Sequence, residues 1–207
     1  MTTTVWTAIV AVSAIGLVTS PTPTPRPVAA PAALAAMGGP PDTLVVNPKG
    51  STIGWRGTGL GGRAVRTGTV TAANGMFVIR HEQLTSGTFT VDMRSVDGAL
   101  RGPALFDVAR YPTAVFNSTG MKRVGQARWQ VSGDLTMRGV TRPISFDTDV
   151  RWEELGHMIA TSSFTIDRRQ WGIGDRDAGI ADDVVDPTIQ LSVSLDARRK
   201  QAAVATR

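Results

Sequence analysis

The sequence predicts an all-β domain, either a sandwich or a closed barrel. Three observations carry this. About eight runs at short spacing alternate apolar and polar residues with period two. No convincing amphipathic helix interrupts them. The 22 glycines suit a chain with many tight turns. A length of 207 residues allows one full core plus terminal extras. The absence of cysteine excludes a disulfide framework, a thiolate metal site, a cysteine nucleophile and anchoring through an acylated N-terminal cysteine. The net charge of +5 is scattered, with part of it in Arg198, Arg199, Lys200 and Arg207. It supports a weak attraction to acidic surfaces but offers nucleic acid no basic stripe with interleaved aromatics.

In chain order, Val5 to Val18 is an apolar run of signal-sequence length, too short for a membrane span and without a basic lead-in. Thr19 to Pro41 is rich in Pro, Ala and Thr and is expected to be a disordered leader, with small residues at Ala33, Ala35 and Ala36 as cleavage candidates. The expected organisation is therefore a signal-like segment and leader over 1–41, a β domain over 42–198 and a flexible tail over 199–207.

Ser51 to Gly57 reads as a strand with Ile53 and Trp55 on one face. The following Gly57-Thr58-Gly59-Leu60-Gly61-Gly62 fits a dinucleotide-loop pattern, but a strand-like segment follows where a helix is required, so it is a loop. Asn74-Gly75 predicts a hairpin turn between Thr67–Ala73 and Met76–Arg80. Leu84 to Ser95 is a strand with Phe89, Val91 and Met93 inward; Val96 to Phe106 is a connection and short cap anchored by Leu100 and Leu105. After a turn near Gly125, Trp129, Val131, Leu135 and Met137 share a face, as do Ile144, Phe146, Thr148, Val150 and Trp152 on the next strand. Gly156 to Arg169 follows, with Ala160, Ser162, Phe164 and Ile166 on one side. The last strand alternates Val185, Pro187, Ile189, Leu191, Val193 and Leu195 against polar residues, with Pro187 at a strand start or edge.

Residues able to carry chemistry are few. His81 and His157 are isolated, each with polar or turn neighbours, and no Gly-x-Ser-x-Gly elbow is present. Two separated histidines without cysteine make a poor zinc set. Asp175, Asp177, Asp182, Asp183 and Asp186 read as a solvated acidic loop, with calcium binding as the alternative. The inward faces mix bulky residues with Gly68, Gly87, Gly133, Ala160 and Ser162. Those small residues either leave a channel or make room for large neighbours, and the pattern alone does not choose. If a channel exists, its lining is Trp55, Phe77, Phe89, Val91, Met93, Phe116, Val131, Leu135, Ile144, Phe146, Phe164, Ile166, Ile189, Leu191 and Val193. Arg66 and Arg168 are the cations to test against a ligand head group, the alternative being surface ion pairs such as one with Asp167.

Two linked motifs stand in register. The first is Phe106-Asp107 with Tyr111-Pro112 and Phe116; the second is Gly133, Leu135-Thr136, Gly139-Val140-Thr141 and Pro143. On these the chain resembles the YceI-like family of bacterial periplasmic lipid-binding barrels. Phe89, Asp92, Met93 and Ser95 match a further strand-end pattern of that family, and Arg168 to Ile173 match its Arg-x-x-Phe-Gly-Ile element with Trp171 for Phe. The chain departs from the family at Arg66, where His is common, and in the cap Ala99-Leu100-Arg101-Gly102, where His-Leu-Lys-Ser is usual.

The resemblance, covering about Thr43 to Ala197, implies an extended eight-stranded antiparallel lipocalin-like β-barrel with a short helical cap. It also favours a channel over a filled interior; ten-residue strands would make one about 33 Å long. It implies a periplasmic or secreted, non-enzymatic carrier of an isoprenoid lipid (a polyprenyl phosphate or isoprenoid quinone) or a similar long-chain amphiphile. Transient membrane contact, no nucleic acid, no metal and no cofactor beyond the bound lipid go with that reading, and a homodimer is compatible with it. Two alternatives are an enzyme with Arg168 and Asp182 at the mouth of the barrel, and a solid barrel serving as an interaction module.

Overall fold

The computed structural model describes residues 42–59, 63–80, 83–153, 156–174 and 186–200. The N-terminal segment, His81, Leu60 to Gly62, the acidic residues from Asp175 to Asp183, Val185 and the last seven residues lie outside the described residues.

Among the described residues there are nine antiparallel strands: β1 (Asp42–Val46), β2 (Thr52–Gly59), β3 (Ala64–Arg80), β4 (Gln83–Asp92), β5 (Thr113–Arg123), β6 (Arg128–Met137), β7 (Val140–Trp152), β8 (His157–Asp167) and β9 (Thr188–Arg199). They close into a barrel of eight staves, because β1 and β2 are halves of one stave. β1 pairs with the end of β3 and the end of β9, whereas β2 pairs with the start of β3 and the middle of β9. A 3₁₀ turn at Pro48–Gly50 separates the halves. Ser51 bridges the gap: its Oγ donates to the Asn47 carbonyl (2.8 Å) and accepts from the Asp196 N–H (3.0 Å). On its other edge the second half of β3 pairs with β4, so the sheet closes on itself. The expected eight-stranded lipocalin-like barrel is the observed fold.

Asn74-Gly75 is not a turn; β3 runs straight through it for 17 residues, with a bulge between Ala72 and Asn74 that bends the strand. Gly75 serves close approach instead, since a Cβ there would lie 2.8 Å from Val46 Cγ2, 2.8 Å from Phe89 Cβ and 2.9 Å from the Thr88 carbonyl oxygen. Among the described residues, Arg138-Gly139 forms a two-residue hairpin turn, flanked by the Met137–Val140 pair, with φ of 48° and 72°. Positive φ at both positions is the type I′ signature that matches strand twist.

Alternation otherwise reads out as expected on β6, where Trp129, Val131, Leu135 and Met137 are buried. Trp152 is the exception. At the end of β7 it is 43% exposed, beyond the reach of the core. Two strands are shorter than expected, because Met93–Ser95 and Arg168–Trp171 form 3₁₀ turns capped by Asp92 and Asp167. With Gly98–Leu100 these turns form the cap at one end. β9 begins immediately after Pro187 and runs to Arg199. The opposite end is closed by Leu44, Met158 and Ala197, all fully buried.

Candidate functional site

The barrel interior is divided. A cavity of about 340 Å³ lies at the capped end. A second of about 40 Å³ lies deeper, and Phe89, Phe116, Phe146 and Val193 border both. The hollow is therefore not a channel running the length of the barrel. It occupies one end and stops on aromatic rings.

Each wall residue reaches the hollow because strand alternation points it inward. Of the expected lining, Trp55, Phe89, Val91, Met93, Phe116, Leu135, Ile144, Phe146, Phe164, Ile166, Ile189, Leu191 and Val193 border the large cavity. Phe77 and Val131 border only the small one. Val70, Ala114 and Met137 also line the hollow; they sit in phase with the expected residues and were legible from alternation. Val96, Leu100, Leu105, Phe106 and Ile173 close it from the cap, a contribution that periodicity does not announce.

The inward glycines do not create the space. Trp55 stands opposite Gly68 and Phe77 opposite Gly87, each pair directly across the ladder. A Cβ at Gly68 would lie 2.6 Å from Trp55 Nε1, and one at Gly87 would lie 2.7 Å from Phe77 Cδ1. These glycines make room for neighbouring rings. Phe89, Phe146, Phe164, Ile189, Leu191 and Val193 point inward yet are only partly buried. The surface they leave uncovered faces the hollow.

Among the described residues, the polar side chains in the lining are Trp55, Thr58, Arg66 and Arg168. The buried Trp55 indole N–H has no hydrogen-bond partner among the described residues. The Thr58 hydroxyl donates to Asp186, whose own N–H donates to the Thr58 carbonyl at 2.7 Å. Arg168 is 2% exposed. Its Nη1 donates to the carbonyls of Ile173 and Gly174, both at 2.6 Å, and its Nε donates to the Asp186 carbonyl at 3.2 Å. It therefore fastens the cap to the start of β9. The surface ion pair with Asp167 belongs to Arg169, at 2.8 Å. Arg66 is exposed and, among the described residues, its guanidinium makes no hydrogen bond or ion pair. It stands on β3 directly across from Gly57, among the residues that border the hollow.

The motifs read from the sequence meet around this end. A Cβ at Gly139 would lie 2.9 Å from Tyr111 Cε1, so the Tyr-Pro segment packs on the β6–β7 turn. Trp171 is 1% exposed and its Nε1 donates to the Leu135 carbonyl at 3.0 Å. His157 lies at the other end, 3.3 Å from Glu153 and 3.2 Å from Asp196, remote from the hollow.

A capped antiparallel barrel with an almost wholly apolar hollow at its capped end defines a lipocalin-like architecture. The YceI-like domain model matches residues 44–197. The chain belongs to the YceI-like family. A UPF0312 protein of Azotobacter vinelandii is 42% identical over 48 residues, which is 23% of this chain and 25% of that protein. A UPF0312 protein of Pseudomonas putida (strain GB-1) is 30% identical over 103 residues, 45% of this chain and 53% of that protein. The chain thus spans about a quarter and about half of the curated relatives it matches.

Among solved structures, BcnA of Burkholderia cenocepacia superposes with a TM-score of 0.63 at 19% identity, over 73% of this chain and 98% of that one. A polyisoprenoid binding domain from Saccharophagus degradans, implicated in plant cell wall breakdown, superposes at 0.59 with 15% identity, over 76% and 98%. At these identities the likeness establishes the fold.

Proposed function

We propose that the protein binds the apolar chain of an isoprenoid lipid or a similar long-chain amphiphile in the capped hollow, as a carrier and not as an enzyme. The observation that carries this is the hollow of about 340 Å³ with an almost wholly apolar lining. Left empty, such a lining forfeits the van der Waals contacts that packed atoms would supply. Water fills the hollow poorly, because a buried water needs two to four polar partners. An apolar chain restores those contacts and gains about 0.8 kcal/mol per buried methylene. The polyisoprenoid binding named for the Saccharophagus domain supports the same reading.

A hollow of this kind competes well with water for a lipid but poorly with a bilayer, so the protein exchanges its ligand with membranes. Export to the periplasm or beyond, read from the N-terminal segment, fits that role. Arg66, exposed and bordering the hollow, is the residue we assign to an anionic or carbonyl head group, and Arg168 holds the cap. The test is organic-solvent extraction of protein purified from its native host, followed by mass spectrometry, together with uptake of a fluorescent acyl or prenyl probe. A stoichiometric lipid, and uptake lost in Phe164→Arg and Leu191→Asp variants that still fold, is the expected result. Neither lipid nor uptake in the wild-type protein overturns the reading.

A further inference from the structure

We propose that the row Phe89, Phe116, Phe146 and Phe164 is a floor that sets the length of apolar chain the barrel accepts. This rests on the carrier reading and deepens it. Successive ring centroids are 5.4, 5.5 and 4.3 Å apart, close enough to leave no passage between rings. Three of these rings, with Val193, are shared by the large cavity and the small one beneath, which identifies them as the partition.

The rings are held. Phe146 and Phe164 stack within 10° of parallel. Phe116 lies over Gly133, where a Cβ would come within 2.7 Å of its Cε2. Phe89 lies against Gly75, where a Cβ would come within 2.8 Å of its own. Below them lies the small cavity of about 40 Å³. At roughly 30 Å³ per water-sized or methylene-sized group, a hollow of about 340 Å³ takes about eleven such groups. A longer tail leaves its excess outside the barrel.

The experiment titrates delipidated full chain with primary alcohols from about eight to about twenty carbons, read by calorimetry. Affinity is expected to rise about fourfold per added methylene and then level off near a dozen carbons. In Phe146→Ala the vacated ring space and the pocket behind it make room for roughly five more groups, moving the break to longer chains. Val193→Phe raises the floor and moves the break to shorter ones, which keeps the test intact if Phe146→Ala unfolds. An affinity that climbs without a break to the longest alcohol overturns the floor and leaves the carrier reading standing. A break that neither folded variant moves also overturns it. Binding of no alcohol at any length overturns the carrier reading, and the floor with it.

Discussion

The ring of Phe116 rests on Gly133: a Cβ at position 133 would lie 2.7 Å from Cε2 of that ring and 2.5 Å from the backbone oxygen of Asn117. An inward glycine here positions an aromatic side chain across the barrel axis. The same arrangement recurs at Gly68 with Trp55 and at Gly87 with Phe77. A filled lower half and an open upper half follow from where the rings fall.

Alanine substitutions at these glycines are expected to differ in a set order. Gly133→Ala meets backbone and is expected to destabilise most, by about 3 kcal/mol or more. Gly68→Ala meets the indole of Trp55, a side chain able to shift, and is expected to cost about 1–2 kcal/mol. Gly120→Ala, with nothing within 4 Å of the added Cβ, is expected to be neutral or stabilising by about 0.5 kcal/mol. Urea midpoints of the three variants give the order directly; equal costs at Gly133 and Gly120 contradict the packing described.

Arg168 is expected to behave as a structural residue. Arg168→Met leaves three carbonyls without their donor, at about 1–3 kcal/mol for each one that stays buried. Arg168→Lys is not expected to rescue, because an ammonium cannot reproduce the guanidinium fork. Limited proteolysis of the cap, faster in both variants than in wild type, is the readout. A variant with an unchanged cap and weakened lipid binding would instead make Arg168 a head-group ligand.

Arg66→Ala is expected to leave stability unchanged and to weaken an anionic amphiphile about two- to fivefold, an effect that fades with added salt. The matching alcohol should bind both proteins alike. Comparing a fatty acid with the alcohol of equal length separates head-group recognition from tail burial.

Acid sensitivity should arise partly at the cap. A hydrogen bond from Arg94 holds the Asp92 carboxyl below its ordinary range, and one from Arg169 does the same for Asp167. Groups depressed in the folded state contribute stability that is complete above the unfolded value near pH 3.9 and disappears as pH falls through the folded value. Both pairs are substantially solvent-exposed, so the contribution is small and screened. Melting temperatures followed below about pH 4 should fall less steeply in Asp92→Asn/Asp167→Asn than in wild type. Parallel falls contradict the assignment.

Much of this was legible in the residues. Alternation placed Trp129, Val131, Leu135 and Met137 inward, and it found most of the wall of the hollow. It failed where one residue type has two uses. Asn74-Gly75 has the composition of a turn, but the contact of Gly75 with Val46 and Phe89 depends on strands far apart in the chain. Inward glycines read equally as gaps or as seats for rings, and only the cross-strand register of Trp55 with Gly68 decides. The buried state of Arg168 was hidden for a similar reason, since its partners among the described residues are backbone carbonyls, which carry no sequence signal.

The most direct test places a heavy atom at the end of a bound chain. Crystals soaked with an alkyl chain of about ten carbons carrying a terminal bromine should show an anomalous peak inside the barrel, against the rings of Phe116 and Phe146. A peak found only on the outer surface, or wall side chains filling the hollow in its place, would contradict the account.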